Sequence, residues 1–306
     1  MSDMKLQLGI EVGDAALKLS LFDPQAKKVL KTSYLPTETS PLDDIYSFET
    51  TLQSWLQEND LESIESIALT VSVFRGLVRQ VYVPPEASNS VRDYLSWTLS
   101  LMTSVDPDDF YFDYHILSGE NSLGYTVLLI AVRRVWVDAV RKGFRSKKIV
   151  PQIFEIDVVS ILNLLDFDGA LEKGTECVIK ADISGVAMMW LAKDDLKALR
   201  CVSTLELVDK SKEDAYLLLS KHILEQLHLA DDENGVSVKR LKICGELAND
   251  IAFVDILRKQ LKGYALTLLD SFANIRLPVD DESTACVLNC VGAIGASLRS
   301  VGGGNP

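Results

Sequence analysis

A pattern of three short strands occurs twice in this sequence, and in each copy the first strand ends near an acidic residue. The first copy spans Lys5–Leu35 with Glu11 before its first turn, and the second spans Glu176–Val202 with Asp182 in that place. Alternating apolar and polar residues, bounded by Gly, Asp and Pro turns, predict an antiparallel meander in each copy. The offset of 171 residues from Glu11 to Asp182 predicts two similar lobes rather than a stack of short repeats.

A helix and a further strand follow each meander. In the first half, the apolar spacing predicts a helix over Tyr46–Gln57 and a strand over Ser66–Phe74. In the second half, the same spacing predicts a long helix over Lys212–Leu229 and a strand over Ser237–Cys244. Each half therefore has the element order of an α/β unit.

A block of mixed elements separates the two halves. Its predicted elements are the strand Val78–Val83, the helix Ser88–Ser104, the strands Tyr111–Leu117 and Tyr125–Ala131, the helix Val135–Phe144 and a short extended piece before Pro151. This β-α-β-β-α-β order predicts a small α+β subdomain. We therefore divide the chain into a first lobe (residues 1–76), an inserted subdomain (77–152) and a second lobe (153–306).

Charge and hydropathy exclude several classes of protein. The net charge of −13 and the hydrophobic fraction of 47% exclude a disordered chain and argue against binding to nucleic acid or to an anionic membrane surface. There is no apolar run of about 18 residues, and the first residues lack the pattern of a secretory leader. The five cysteines and three histidines show no disulfide framework and no zinc-site spacing. We expect a cytoplasmic protein.

Seven short segments, in order along nearly the whole chain, carry a resemblance to a known family. They are Leu8–Lys18, Arg79–Pro84, Trp97–Tyr114, Pro151–Asp157, Ala181–Gly185, Ile243–Glu246 and Val291–Arg299. Together they resemble the PilM family of type IV pilus assembly proteins, which is related to the cell-division actin FtsA. The resemblance implies an actin-like (ribonuclease H-like) two-lobe α/β fold, with the inserted block as the extra α+β subdomain of this family.

The resemblance also implies an ATP site in the cleft between the lobes, with two hairpin turns around the phosphates. The first turn would contain Gly13 and Asp14, with Lys18 on the strand that leads out of it. The second turn would contain Ser184 and Gly185. Glycine in such turns lets the backbone approach a phosphate closely.

The same resemblance implies a position for Mg²⁺ and one for the adenosine. Glu11 and Asp182 correspond to the acidic residues that hold Mg²⁺ through water, and carboxylate and water oxygens are the ligands that Mg²⁺ prefers. Gly245 and Glu246 correspond to the turn that accommodates the adenosine.

All three turns depart from the family pattern. Glu11 stands where Asp is usual, the hydroxyl side chains expected in the first turn are absent, and Glu246 replaces a glycine. Carboxylates at Glu11, Asp14 and Asp182 would repel a triphosphate. We therefore predict a degenerate nucleotide cleft; the alternative is an active actin-fold ATPase or a small-molecule kinase. For a sugar kinase the nearest catalytic candidate is Asp157, which a helix N-cap explains more simply.

The segment Gly292–Ser297 is rich in Gly, Ala and Ser. Small residues permit close approach of helix backbones, although each Gly costs about 1 kcal/mol relative to Ala within a helix. In the actin-like fold two helices cross at the hinge between the lobes. The resemblance therefore implies that this helix crosses a helix over Val158–Leu165.

As a function, the resemblance implies a cytoplasmic scaffold of a type IV pilus or related secretion machine. Such a scaffold would bind a membrane-anchored assembly protein through its short cytosolic peptide, in or near the inserted subdomain. A stretch of apolar residues there either packs in the core or lines a groove for this peptide. The stretch comprises Trp97, Leu99, Leu101, Met102 and Val105.

The last residues give no sign of a membrane anchor. Arg299–Pro306 is predicted to be a flexible tail rather than an amphipathic helix. We therefore expect the chain to reach the inner face of the cell membrane through its partners. Self-association is left open.

Overall fold

The structure is a computed structural model that describes residues 5–59, 64–103, 106–117, 124–144, 151–170, 175–192, 195–204, 207, 209–234, 237–279 and 286–299. Several predictions of the sequence fall outside these ranges. They concern Val105, the extended piece before Pro151 and the tail beyond Arg299.

The elements follow the order expected from the sequence. The strands are β1 (Leu6–Val12), β2 (Ala16–Asp23), β3 (Lys28–Pro36), β4 (Ile64–Val71), β5 (Leu77–Val83), β6 (Phe110–Ile116), β7 (Tyr125–Arg133), β8 (Ile153–Ile156), β9 (Glu176–Asp182), β10 (Gly185–Ala192), β11 (Asp195–Ser203), β12 (Arg240–Cys244) and β13 (Ala265–Leu268). The helices are α1 (Ile45–Glu58), α2 (Val91–Met102), α3 (Arg134–Phe144), α4 (Asp157–Phe167), α5 (Lys212–Asn234), α6 (Ile251–Gln260) and α7 (Val291–Ser297).

Two five-stranded sheets have the same plan, one in each lobe. In the order β3-β2-β1-β4-β8, the first three strands of the chain form an antiparallel meander and β4 and β8 continue parallel to β1. The order β11-β10-β9-β12-β13 repeats this arrangement around β9. Glu11 and Asp182 therefore lie at the carboxyl ends of equivalent central strands. The predicted α/β architecture of two similar lobes is confirmed.

The inserted block contains a separate antiparallel sheet in the order β5-β7-β6. Leu95 of α2 is fully buried in the cluster that this helix forms with β5 and β7. A 3-10 turn over Pro85–Ala87 follows β5, so α2 begins at Val91, later than the predicted Ser88. Ser88 ends this turn instead of starting the helix, because its N–H donates to the Pro85 carbonyl oxygen.

Strand β8 belongs to the first sheet, although the predicted division at residues 152 and 153 assigns it to the second lobe. It runs parallel to β4, with Ala68 opposite Ile153 and Val71 opposite Ile156. Helix α4, which follows, also contacts β4 and β8. No local pattern could show this pairing, because the two strands are far apart in the sequence.

Helices α4 and α7 cross in direct backbone contact. A Cβ atom added at Gly295 would lie 1.8 Å from the carbonyl oxygen of Ser160, so only glycine fits there. Helix α7 also packs against β1 and β2. The predicted crossing of the small-residue helix with a helix over Val158–Leu165 is confirmed. Within the described ranges, no helix combines the length and the apolar character needed to span a membrane.

Candidate functional site between the two lobes

Six charged side chains from both lobes meet where the central strands β1 and β9 end. They are Glu11 from β1, Lys18 from β2, Asp157 from the start of α4, Lys180 and Asp182 from β9, and Glu246 from the turn after β12. All six side chains are at most 10% exposed. Two lysines and four acidic side chains are thus enclosed together.

Lys18 connects the first lobe to the second. It lies directly opposite Glu11 in the β1–β2 register, and its Nζ is 3.2 Å from Glu11 Oε1. The same Nζ lies 3.2 Å from Asp182 Oδ1 and 3.2 Å from Glu246 Oε1, both of the second lobe. Lys18 was predicted to lead out of a phosphate turn; its ammonium group instead contacts three carboxylates of the protein.

Lys180 makes the reciprocal connection from the second lobe. Its Nζ lies 2.6 Å from Glu11 Oε1 and 2.5 Å from Asp157 Oδ2, on the side of the first lobe. It also lies 2.6 Å from Asp182 Oδ2 of its own strand. Lys180, like Lys18, therefore has three carboxylates around its ammonium group.

Asp157 is the first residue of α4 rather than the N-cap residue that was expected, and its carboxylate is part of the charged cluster. Its Oδ1 accepts hydrogen bonds from the backbone N–H groups of Val73 (2.9 Å) and Val158 (2.8 Å). Its Oδ2 contacts Lys180. All the contacts of this carboxylate are therefore made within the protein's own interior, which gives no support to a role as a kinase base.

Burial and neighbouring charges shift the pKa values of these groups. Burial lowers the pKa of both lysines, but the carboxylates outweigh it, chiefly Asp182 at Lys18 and Asp157 at Lys180, so that both pKa values are raised. Burial raises the pKa of Asp157 more than Lys180 lowers it. At Asp182 burial is outweighed by Lys18 and Lys180, which lower its pKa. Both lysines therefore stay charged near neutral pH.

The predicted adenosine turn closes onto the cluster through Glu246. Its carboxylate Oε2 accepts a hydrogen bond from the Ile183 N–H at 3.0 Å, and its own N–H donates to Asp182 Oδ1 at 2.9 Å. Gly245 has φ 94°, and a Cβ there would lie 2.5 Å from the Ala181 carbonyl oxygen. The turn therefore needs glycine at residue 245 in order to bring Glu246 against β9.

The first predicted phosphate turn is closed by hydrogen bonds and an ion pair. The Gly13 N–H donates to the Ala16 carbonyl at 2.9 Å. The side chain of Arg75 pairs with Asp14 and reaches Asp43 at 3.2 Å. Asp14 is therefore neutralised locally, and it does not join the cluster around Lys180.

The second predicted turn is held by Thr204. Its N–H donates to the Ser184 carbonyl at 3.2 Å, and its hydroxyl donates to the Ile183 carbonyl at 2.5 Å. Gly185 is already part of β10, where a Cβ would lie 2.3 Å from the ring of Phe74. The roles of Ser184 and Gly185 in phosphate binding stay predictions.

The residues of the cluster do not fit Mg²⁺ in this arrangement. Glu11, Asp157 and Asp182 are the donors a hard cation prefers, and their oxygens lie within 4.8 Å of one another. However, Lys180 Nζ already lies at 2.5–2.6 Å from each of the three. An Mg²⁺ ion with its ligands at about 2.1 Å would need the same space. Direct coordination of Mg²⁺ by these three carboxylates therefore requires Lys180 to leave. The role of Glu11 and Asp182 in holding the ion through water stays a prediction.

Three residues of this site were missed in the sequence. Lys180 was treated as part of a strand, Arg75 was not singled out, and Tyr34 was placed only in a meander. A signal did exist for Lys180, because a lysine between Ile179 and Ala181 in an apolar central strand needs a buried counter-charge. For Arg75 and Tyr34 there was no comparable signal.

A second feature is an exposed apolar face on α2. Trp97, Leu101 and Met102 are 57%, 67% and 45% exposed, whereas Leu95 and Leu99 are fully buried. The spacing explains the division, because residues four apart share one side of a helix. The apolar stretch that the sequence left ambiguous therefore divides into a core side and an exposed side.

A third feature is an apolar pocket of 240 Å³ between α5 and the two turns of the second lobe. Leu207, Ala215, Leu219 and Leu247 contribute apolar walls, and Ile183, Thr204, Lys212 and Tyr216 complete the lining. The pocket thus borders the second predicted phosphate turn at one wall and the predicted adenosine turn at another.

Several proteins of known structure have a fold similar to that of this chain. The chain is similar to a chain of the PilM-PilN type IV pilus biogenesis complex, with a TM-score of 0.76, 15% identity and coverage of 96% of this chain and 98% of that one. It is similar to a Bacteroides thetaiotaomicron protein with an actin-like ATPase fold and unknown function, with a TM-score of 0.55, 11% identity and coverage of 89% and 95%.

A third similar structure is the cytoplasmic domain of EpsL, an inner membrane component of the type II secretion system of Vibrio cholerae. Its TM-score is 0.51, its identity 12%, and the coverage 96% of this chain and 95% of that one. Neither a protein-family model nor a curated protein matches the sequence. The chain therefore has the actin-like ATPase fold, in a form similar to PilM.

Proposed function

We propose that this chain is an actin-like scaffold of a type IV pilus or related secretion machine. The observation that carries the proposal is the likeness of its fold, over 96% of its length, to a chain of the PilM-PilN type IV pilus biogenesis complex. The likeness to the cytoplasmic domain of EpsL, from a related kind of machine, supports it. In this function the interlobe cleft is a degenerate nucleotide site.

The surface that serves the scaffold is the exposed side of α2 on the inserted subdomain. Trp97, Leu101 and Met102 form an apolar strip there, and aromatic side chains of this kind are the usual anchors of protein interfaces. The ring of Trp97 is steadied by Tyr94, with ring centroids 5.9 Å apart. An ordered, exposed aromatic side chain loses little conformational entropy on binding.

The occupant we propose is the short cytosolic peptide of a membrane-anchored assembly protein. Exposed carboxylates lie on the elements beside the apolar strip, namely Asp93 of α2, Asp106, Asp108 and Asp109 before β6, and Asp113 of β6. Charge complementarity then favours a peptide that combines apolar anchors with Lys or Arg. Binding this peptide would place the chain at the inner face of the cell membrane.

The test is direct binding of synthetic peptides. Peptides are made from the cytosolic N-termini of the membrane proteins encoded beside this chain, and their affinity is measured by fluorescence anisotropy. We expect Trp97→Ala to weaken binding by roughly 30-fold, as for a central anchor. The matched control is Tyr46→Ala, since Tyr46 is 80% exposed and lies on α1 of the first lobe.

Two results would contradict this proposal. One is that no such peptide binds; the other is that the Trp97 and Tyr46 variants lose affinity equally. Sedimentation of the same samples determines whether the chain self-associates.

The alternative function, an active actin-fold ATPase or small-molecule kinase, is favoured by one observation. The 240 Å³ apolar pocket borders the predicted adenosine turn at Leu247 and has the character of a site for a flat, weakly polar ring. Calorimetry with Mg-ATP, followed by a turnover assay, separates the two functions. Micromolar binding with turnover would support the enzyme, whereas absence of binding up to millimolar Mg-ATP would exclude it.

A further inference from the structure

The cleft contains a position suited to a cation, and a side chain of the protein fills it. Lys180 Nζ lies 2.5–2.6 Å from oxygens of Glu11, Asp157 and Asp182. Carboxylates from three separate elements around one centre are typical of a divalent cation site. Here the centre is an ammonium group on a central strand, so the charge that joins these elements is part of the chain.

The cleft also contains a position suited to an anion, and a second side chain fills it. The Glu246 carboxylate lies 3.2 Å from Lys18 Nζ and accepts the Ile183 N–H at 3.0 Å. A lysine and a turn N–H are the donors that hold phosphate oxygens in proteins. Burial raises the pKa of Tyr34, which also lies close enough to this carboxylate for the charge of Glu246 to raise that pKa further.

Both side chains take part in contacts that cross between the lobes. Lys180, of the second lobe, pairs with Glu11 and Asp157 on the side of the first, and Lys18, of the first lobe, pairs with Asp182 and Glu246 of the second. A bound metal ion and phosphate between the lobes would make connections of the same kind. In this chain, buried ion pairs make them instead.

We propose that the chain carries its own cation and its own anion in the cleft, Lys180 and Glu246, and that they hold the lobes together without nucleotide or metal. The proposal goes beyond the scaffold function and does not depend on any partner. It predicts that an ion can bind only when the side chain that occupies its position is removed.

The cation position is tested with the full-length chain and Mn²⁺, by electron paramagnetic resonance of the free ion. We expect the wild type to leave Mn²⁺ free and Lys180→Ala to bind one ion per chain. In Lys180→Ala, Mg²⁺ at a hundred times its Kd should raise Tm by roughly 5 °C. Lys180→Met is the matched control, because it removes the charge but keeps the space filled.

The anion position is tested with inorganic phosphate and the variant Glu246→Ala. The space left by the carboxylate faces Lys18 Nζ and the Ile183 N–H. We expect phosphate to raise the Tm of this variant by a few degrees more than the Tm of the wild type. The comparison with the wild type corrects for the general effect of phosphate on protein stability. An equal response of the two proteins would contradict the assignment of Glu246.

The wild type decides the proposal even if Lys180→Ala does not fold. Saturable binding of Mn²⁺ or Mg-ATP to the unaltered chain would overturn it, because both positions are then open to ligands. A folded Lys180→Ala that leaves Mn²⁺ free would overturn it as well. Results with Mn²⁺ leave the scaffold function unaffected, since it is tested by peptide binding at α2, whereas binding and turnover of Mg-ATP would support the enzyme instead.

Discussion

The cleft between the lobes and the outer side of α2 differ in how far their side chains are already paired. In the cleft, Lys18 and Lys180 each have three carboxylate partners within 3.2 Å. Among the described residues of the cluster, the buried Glu11 Oε2 is left without a hydrogen-bond partner. On α2, Trp97 and Leu101 are more than half exposed. The charges of the cleft are therefore mostly paired within the protein, and the inserted subdomain presents surface that a partner could bury.

This difference predicts that substitutions in the two regions affect different properties: protein stability in the cleft, and partner binding on α2. Removing a charge from the cleft leaves other buried charges without compensation, which is costly to stability. Removing an exposed apolar side chain from α2 leaves nothing unpaired, so it affects binding and little else. The following predictions test this contrast, beginning with the largest effect.

Lys180→Met is expected to lower the free energy of unfolding by about 3–5 kcal/mol, because Glu11, Asp157 and Asp182 are then buried without their central positive charge. Urea unfolding at neutral pH measures the loss. The control is Lys5→Met, since Lys5 pairs at 2.7 Å with Glu65 and both side chains are exposed. Equal losses of stability in the two variants would show that the buried charges of the cleft contribute no more to stability than the control ion pair does.

Alkaline pH should weaken the cleft in a way that depends on Lys180. Its pKa is raised above the usual 10.5, so the stability it contributes is fully present below pH 10.5 and is lost as the pH rises through the folded value. Each such proton contributes a slope of about 1.4 kcal/mol per pH unit. Unfolding free energies measured above pH 10.5 should fall less steeply in Lys180→Met than in the wild type; identical slopes would contradict the assignment.

Tyr34→Phe should lower the free energy of unfolding at neutral pH by at most about 1 kcal/mol, since it removes a polar group close to the Glu246 carboxylate. Burial, together with the charge of Glu246, raises the pKa of Tyr34 to about 12. An absorbance titration of phenolate should therefore lose one tyrosine that ionises near pH 12 in the variant. Tyr111→Phe is the control, because its hydroxyl donates to Asp138 on the surface at 3.1 Å. An unchanged titration would argue against the contact with Glu246.

Trp97→Ala should change the free energy of unfolding by no more than about 0.5 kcal/mol, because the side chain is already 57% exposed. Thermal and urea unfolding measure this at the same time as peptide affinity. A loss of several kcal/mol would show that Trp97 belongs to the core of the inserted subdomain and would remove the basis of the contrast.

The sequence was a good guide to the fold because its strongest signals are local. Turn residues and alternation are sufficient to place the two meanders and to identify Glu11 and Asp182 as equivalent positions. The pairing of β8 with β4 was missed because strand partners far apart leave no trace in a local pattern. The fold was therefore predictable in its elements and less so in the membership of its sheets.

The candidate site was predictable in its acidic residues and not in its contacts. Glu246 was expected only as a departure from the family's adenosine turn, and in the structure it contacts Lys18 and accepts the Ile183 N–H. Carboxylates beside one another were expected to repel a phosphate, but Lys180, which neutralises them, lies in the middle of a strand rather than in a turn motif. Which counter-charge meets which carboxylate depends on how the lobes pack, and no spacing along the chain determines this.

The two lysines share carboxylate partners, and this sharing limits which mutations the protein can accept. Lys180 contacts three carboxylates and Lys18 contacts three, with Glu11 and Asp182 common to both. Effects of substitutions at these positions cannot be additive, so each residue constrains its neighbours. Loss of Lys180 alone would open the cation position, but the chain would be destabilised by its uncompensated carboxylates until an ion binds there. The charge pairs of the cleft therefore make substitutions at any one of these positions costly in stability.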